Sequence, residues 1–265
     1  YRNWAARRNE KGAMSQRNSP QSTQTVPPSS SQPGHIQRQE LFFLKLGGSL
    51  ITDKQRPGTP RLGVLARLAE EIALAYSQKP NLRLVLGHGA GSFAHVPAQK
   101  YGTRQGVHTR QEWWGFAEVW RQAAALNRLV MDALHSASLP VIAFPPSACV
   151  TAQRGQVIRW DLNPIKSALK AALLPLIHGD VVFDTELGGT ILSTEDLFEH
   201  LVRQLHPQRI LLAGIEPGVW RDYPHCTQLL QEITPQNYPD ISPNLGGANA
   251  TDVTGGMASK VKQSL

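Results

Sequence analysis

The stretch of this chain most able to do chemistry is Gly87-His88-Gly89-Ala90-Gly91-Ser92-Phe93-Ala94-His95. It follows Leu82-Arg83-Leu84-Val85-Leu86, an apolar run of strand-forming residues. A strand that runs into Gly-x-Gly-x-Gly-Ser presents several backbone N–H groups to one small volume. That makes a nest for an anion, most often a phosphate. Glycine suits such a turn because a Cβ would obstruct either a positive φ or the approach of the ligand. His95 closes the segment with a donor on a side chain that can carry charge near neutral pH. Taken alone, the segment also describes a tight strand-to-helix turn with no ligand.

A second segment strengthens the anion reading. Leu41-Phe42-Phe43-Leu44-Lys45-Leu46-Gly47-Gly48-Ser49-Leu50 is another strand running into a glycine pair, with a lysine inside the strand. A lysine in an apolar run is costly unless an anion partners it. Open α/β sheets place ligands at the carboxyl ends of their strands, where both turns fall. Two familiar phosphate motifs are excluded. No Gly-x4-Gly-Lys-Ser/Thr is present, so this is not a P-loop protein. Gly87, Gly89 and Gly91 are spaced G-x-G-x-G and lack the downstream acidic residue of a dinucleotide site.

Composition narrows the class further. The 265 residues are 41% hydrophobic, enough for a sizeable core, and no apolar run approaches the roughly 20 residues of a membrane helix. Cys149 and Cys226 form no Cys-x-x-Cys, which argues for a reducing compartment and against a disulfide framework or zinc site. The nine histidines show no metal-binding spacing, so no metal ligands are expected from the protein. The net charge of +7 is concentrated at the N-terminus: six basic and two acidic residues in the first 40 leave only +3 for the other 225. That distribution suits an enzyme handling anions and speaks against a nucleic-acid partner.

Residues 1–38 read as a disordered, low-complexity tail, rich in Ser, Gln, Pro and Asn and without a signal-peptide apolar stretch. From Leu41 onward, strands and helices alternate. Leu65, Leu68, Ile72 and Ala75 make a helical stripe. A long helix is predicted over about 111–137, with Phe116, Val119, Ala123, Leu126, Val130 and Leu134 on one side. Pro140–Phe144 reads as a strand, and Asp161 as the cap of a short helix through Leu169. Leu176–Asp184 reads as one strand with a Gly-Asp break, Thr194–Leu205 as a helix with acidic residues in its first turn, and Arg209–Gly214 as a buried strand. The alternation predicts an α/β fold: an open αβα sandwich around a mostly parallel sheet with helices on both faces.

These pieces together resemble the amino acid kinase superfamily and, within it, the isopentenyl phosphate kinases. The resemblance runs from Leu41 to the end. It is carried by Lys45-Leu46-Gly47-Gly48-Ser49-Leu50-Ile51-Thr52-Asp53-Lys54, Gly89–His95, Tyr101-Gly102, Leu126-Asn127, His178–Asp184, Ser193–Asp196, and Asp252–Met257 followed by Lys260. His95 after Gly-Ser-Phe is the mark of the phosphate-accepting branch. Ala94 and His88 depart from the pattern, where glycine and asparagine are usual. The resembled family also continues past the position of Leu265, so a nucleotide lobe lacking its C-terminal strands is expected.

The resemblance implies transfer of phosphate from ATP, carrying Mg2+, to isopentenyl phosphate, giving isopentenyl diphosphate. It implies residues 39–175 as the acceptor-binding lobe and 176–265 as the nucleotide lobe. Lys45, Gly47, Gly48, Ser49, Gly91, Asp180, Gly256 and Lys260 are the expected ATP-side residues, and Lys54, Gly89, Ala90, His95 and Gly179 the acceptor-side ones. Lys45, His95 and Asp180 are the expected catalytic group, Asp180 holding Lys45 or the metal in place. A cytoplasmic homodimer with no membrane or nucleic-acid partner is implied. A sister kinase acting on a carboxylate or a phosphonate, and a non-catalytic nucleotide-binding fragment, stay open. His88, Cys149, Cys226 and the tryptophans read as structural. Trp113, Trp114, Phe116 and Trp120 are a possible isoprenoid wall but are better read as core.

Overall fold

Short apolar strands that end in glycine alternate with longer amphipathic helices. In the computed structural model, which describes residues 40–245 and 261–262, that alternation folds into two sheets and their covering helices. The expectations for residues 1–38, Gly256 and Lys260 lie outside the described residues. In chain order the elements are β1 (Glu40–Leu46), α1 (Gly48–Ile51), α2 (Leu62–Gln78), β2 (Leu82–His88), α3 (Gly91–Tyr101), α4 (Arg110–Ser136), β3 (Val141–Ala143), α5 (Pro146–Cys149), β4 (Val150–Gln153), β5 (Gln156–Trp160), α6 (Asn163–Lys170), β6 (Leu174–His178), β7 (Asp180–Asp184), β8 (Gly188–Leu192), α7 (Thr194–Leu205), β9 (Arg209–Ala213) and α8 (Tyr238–Ile241).

The main sheet has the order β3-β6-β2-β1-β9, and every described pairing in it is parallel. Alternation along the strands divides the core between its two faces. Leu84 and Leu86 of β2 pack with Leu65 and Ile72 of α2 and with Leu126, Val130 and Leu134 of α4. Val85, one residue out of phase, packs on the opposite face with Ile165 of α6 and Leu197, Phe198 and Leu201 of α7. This is the expected αβα sandwich. All six residues predicted for the inner side of the long helix are buried. Its start is secured by a capping box between Thr109 and Glu112. Among the described residues no helix is long and apolar enough to cross a membrane.

Three expectations are corrected. The run Leu176–Asp184 is two strands in different sheets: β6 lies in the main sheet, and β7 joins a second sheet of order β5-β4-β7-β8, with Gly179 as the single residue between them. β9 is an edge strand paired with β1, and Ile210, Leu211 and Leu212 are 42%, 46% and 47% exposed, so it is not buried. The cap of α6 is Leu162; Asp161 sits one residue earlier, its Oδ1 accepting the Asn163 N–H at 3.0 Å.

Candidate active site

The parallel register brings the carboxyl ends of β1, β2 and β6 side by side: Leu46 lies opposite His88, and His88 opposite His178. Both glycine turns therefore open at the same end of the sheet. Between them and the start of α7 lies a cavity open to solvent. Lys45, Gly48, Ser49, Lys54, Gly89, Ala90, Gly91, His95, Gly179 and Asp180 all line it. Gly47 does not; it packs against β9, its N–H bonded to Ala213 O at 2.8 Å.

The two turns are in contact. A Cβ on Gly48 would stand 2.5 Å from Gly91 N, and Gly91 opens α3 at a φ of +52° with Thr52 Oγ1 only 2.1 Å from where its Cβ would be. Only glycine fits at either place. Gly48 and Ser49 open α1, and Gly91 opens α3, so their N–H groups precede the first intrahelical bond. Together with the positive end of the α3 dipole they suit an anion. His95 is half-buried one turn along α3, above Gly91. Lys54 is exposed on the loop between α1 and α2.

Lys45 is 6% exposed and is ion-paired with Glu195. Glu195 stands in the first turn of α7, which a capping box between Ser193 and Asp196 fixes. Glu195 is thus a partner of Lys45 at this end of the sheet, and the carboxylate of Asp180 accepts two backbone N–H groups. Asp180 Oδ1 accepts the Val181 N–H at 2.9 Å and Oδ2 the Ser147 N–H at 3.2 Å. Asp180 is 1% exposed, and burial pushes its carboxyl up to about 6 against the pull of those N–H donors.

Beneath the cavity the rings of His88 and His178 stack 5.3 Å apart. Burial pushes His178 down to about 3, with His88 beside it acting in the same direction, so it is neutral. Its Nε2 is 3.7 Å from Asp180 Oδ2, beyond hydrogen-bond reach, and the pair is not a salt bridge. His88 is anchored by Asn127 Oδ1 at 3.0 Å, consistent with a structural role. Cys149 is exposed at the surface, and partial desolvation of its thiol raises it to about 11.

The far end of the cavity is apolar, formed by Ala94 and Ala98 of α3, Val119 of α4 and Ile191 of β8. Phe116 lies in the same cluster, with Trp113 packed against it. Trp114 and Trp120 are 73% and 46% exposed, so they serve neither as core nor as wall. Arg104, after α3, reaches Asp196 Oδ2 at 3.2 Å and Ile191 O at 3.4 Å, tying this end to α7. Glu195 and the β8 wall were missed from sequence. The spacing Ser193-x-x-Asp196 already marks Ser193 as the cap and Asp196 as its capping-box partner, and leaves Glu195 as the acid of that turn able to reach Lys45.

Comparisons with known proteins agree with this geometry. The chain is 35% identical over 230 residues to the isopentenyl phosphate kinase of Methanocaldococcus jannaschii, covering 83% of this chain and 85% of that protein. It is 33% identical over 235 residues to the isopentenyl phosphate kinase of Methanothermobacter thermautotrophicus, covering 85% and 86%. An X-ray structure of an isopentenyl phosphate kinase superposes with a TM-score of 0.68 at 29% identity, covering 77% of this chain and 85% of that one. The family described as the amino acid kinase family matches residues 40–265. With that match spanning the whole described fold and its cavity, the chain belongs to the amino acid kinase family.

Proposed function

We propose that this protein transfers the γ-phosphoryl group of ATP to isopentenyl phosphate, giving ADP and isopentenyl diphosphate. The observation that carries the reading is a single cavity with lysines, a histidine and helix-start N–H groups at one end and Ala94, Ala98, Val119 and Ile191 at the other. That polarity matches a phosphate monoester on a short apolar tail. The kinship with isopentenyl phosphate kinases supports the same reading.

Phosphoryl transfer is mostly positioning and charge neutralisation. A phosphate monoester, with a second pKa near 6, is largely a dianion at neutral pH and needs no strong base. It needs cations to overcome repulsion from the γ-phosphate. Lys45 at the end of β1 bridges the donor and acceptor phosphates, and Glu195 positions it. The amides of Gly48, Ser49 and Gly91 hold the ATP phosphates, with Gly47 supporting the turn and Gly256 and Lys260 on the nucleotide side. His95 and Lys54 hold the acceptor phosphate, bordered by Gly89, Ala90 and Gly179. Asp180 and Glu195 are the only carboxylates lining the cavity among the described residues. That set fits a Mg2+ held chiefly by phosphate oxygens and water, with Asp180 at its margin; bound Mg2+ neutralises phosphate charge. Residues 39–175 supply the acceptor side and 176–265 the nucleotide side. A cytoplasmic homodimer belongs to the same reading, and sedimentation tests its stoichiometry.

ADP release measured with isopentenyl phosphate, acetylglutamate, uridine monophosphate and a phosphonate antibiotic as acceptors tests the assignment. Isopentenyl phosphate should give the highest kcat/KM. A higher value for any of the others overturns it.

A further inference from the structure

We infer that Thr52 is a positioning residue that joins the two glycine turns into one anion site and sets the distance between them. It rests, for its activity readout, on the function proposed above. Thr52 follows α1 and is fully buried. Its hydroxyl donates to Gly48 O at 2.7 Å, in the first turn, and accepts from Ser92 N at 3.0 Å, in the second. One oxygen therefore joins the two turns, through a bond between residues 40 apart in sequence.

The seam extends beyond that oxygen. Ser92 O accepts the Gly58 N–H at 3.0 Å, so both backbone groups of Ser92 are committed to the segment that follows α1. That segment carries Lys54, which lines the cavity. Thr52 and Ser92 together fix three pieces: the Gly48 turn, the Gly91 turn and the Lys54 loop. Gly91 must be glycine because the Thr52 hydroxyl fills the space where its Cβ would go.

Two consequences follow. The Ser92 N–H, although it stands in the first turn of α3, is already taken and is not a phosphate donor; the donor of that turn is Gly91. Loss of the hydroxyl also lets the two turns shift relative to each other, and displacements of about 1 Å can cost on the order of 10²-fold in rate.

Residue-resolved amide hydrogen exchange on the wild-type protein, with and without ADP, tests the first consequence. The Ser92 amide should be slow before ADP is added and unchanged by it, while the Gly91 amide slows. A Ser92 amide that exchanges fast until ADP protects it overturns the proposal. The second consequence is tested by Thr52→Val, which keeps the volume and removes the hydroxyl, and by Thr52→Ser, which keeps the hydroxyl. Thr52→Val should lower kcat by about 10- to 100-fold, and Thr52→Ser should stay within about threefold of wild type. A folded Thr52→Val protein with wild-type kcat and KM overturns the proposal. If Thr52→Val does not fold, the exchange measurement on the wild-type chain decides alone. A wild-type protein that makes no isopentenyl diphosphate refutes the proposed function instead, and leaves the exchange test intact.

Discussion

Replacing Glu195 by glutamine isolates the charge at the centre of this site. The Lys45 and Glu195 side chains are 8% and 9% exposed, so the pair is buried and its members neutralise each other before any ligand arrives. Glutamine keeps the shape and removes the Glu195 charge from beside the buried Lys45 ammonium. Breaking a buried pair from one side costs about 3–5 kcal/mol. A chain of this size loses roughly 2–4 °C of Tm per kcal/mol, so Glu195→Gln should melt on the order of 6–20 °C below wild type. The partner substitution, Lys45→Met, leaves a buried carboxylate and should cost a similar amount.

Nucleotide then separates the two variants by sign. ADP at 100 times its Kd stabilises any protein that binds it by about 2.7 kcal/mol. In Glu195→Gln the phosphates replace the missing carboxylate beside Lys45, so ADP should raise Tm by more than it does in wild type. In Lys45→Met the unpaired Glu195 repels phosphate, and ADP should raise Tm by less. Differential scanning fluorimetry with and without ADP reads both effects. Without nucleotide, a Glu195→Gln protein melting within about 1 °C of wild type would refute the buried-pair argument. Equal ADP shifts in the two variants would refute the placement of Lys45 against phosphate.

His95→Ala should lower kcat/KM for isopentenyl phosphate by about one to two powers of ten, the worth of one charge-assisted hydrogen bond; His95→Gln should lose less, and ADP affinity should not change in either. Asp180 has a folded pKa of about 6 against an ordinary 3.8, so the folded chain holds its proton more tightly and the stability it contributes declines as pH rises from about 4 to 6. The stability difference between Asp180→Asn and wild type, measured by urea unfolding, should therefore grow in the mutant's favour across that range by up to about 3 kcal/mol; a flat difference would refute the raised pKa. A methyl at Gly179 meets nothing closer than Leu192 O at 3.5 Å, whereas one at Gly91 falls 2.1 Å from Thr52 Oγ1. Gly179→Ala should thus keep the wild-type Tm and raise the acceptor KM, and Gly91→Ala should lower Tm.

Much of this site was legible because its chemistry is local. The glycine turns, Lys45 and His95 sit within a few residues of strand ends that the apolar runs announce. The inner face of α4 was legible because six apolar residues at helical spacing must be covered by something. What periodicity does not report is the identity of the cover. The apolar run of β9 reads as buried, yet in the fold it pairs with β1 at the sheet edge and leaves Ile210, Leu211 and Leu212 exposed. Trp114 and Trp120 share a helix with the buried Phe116 but are exposed, and exposure rather than residue type separates their roles. β4, β5 and β8 are only four or five residues each and mix polar with apolar positions, so no single strand stands out from a loop.

Asp180 shows how a misread element conceals a residue's environment. Between two apolar runs, Gly179-Asp180 reads as a break in one strand, and a break suggests a turn at the surface. The chain instead leaves the main sheet at His178 and enters the second sheet at Asp180, so the interruption is a crossing through the interior. A period of two records which side of a sheet a residue faces but not which sheet it belongs to. That choice is made by long-range partners: Leu86 and His88 for β6, and Thr151 and Leu192 for β7 and its first residue. Because the crossing runs beneath the glycine turns, it carries a carboxylate to the cavity floor and strips it of water. Desolvation, the largest influence on Asp180, is therefore a product of topology, and the same crossing brings Gly179 to the cavity wall beside it.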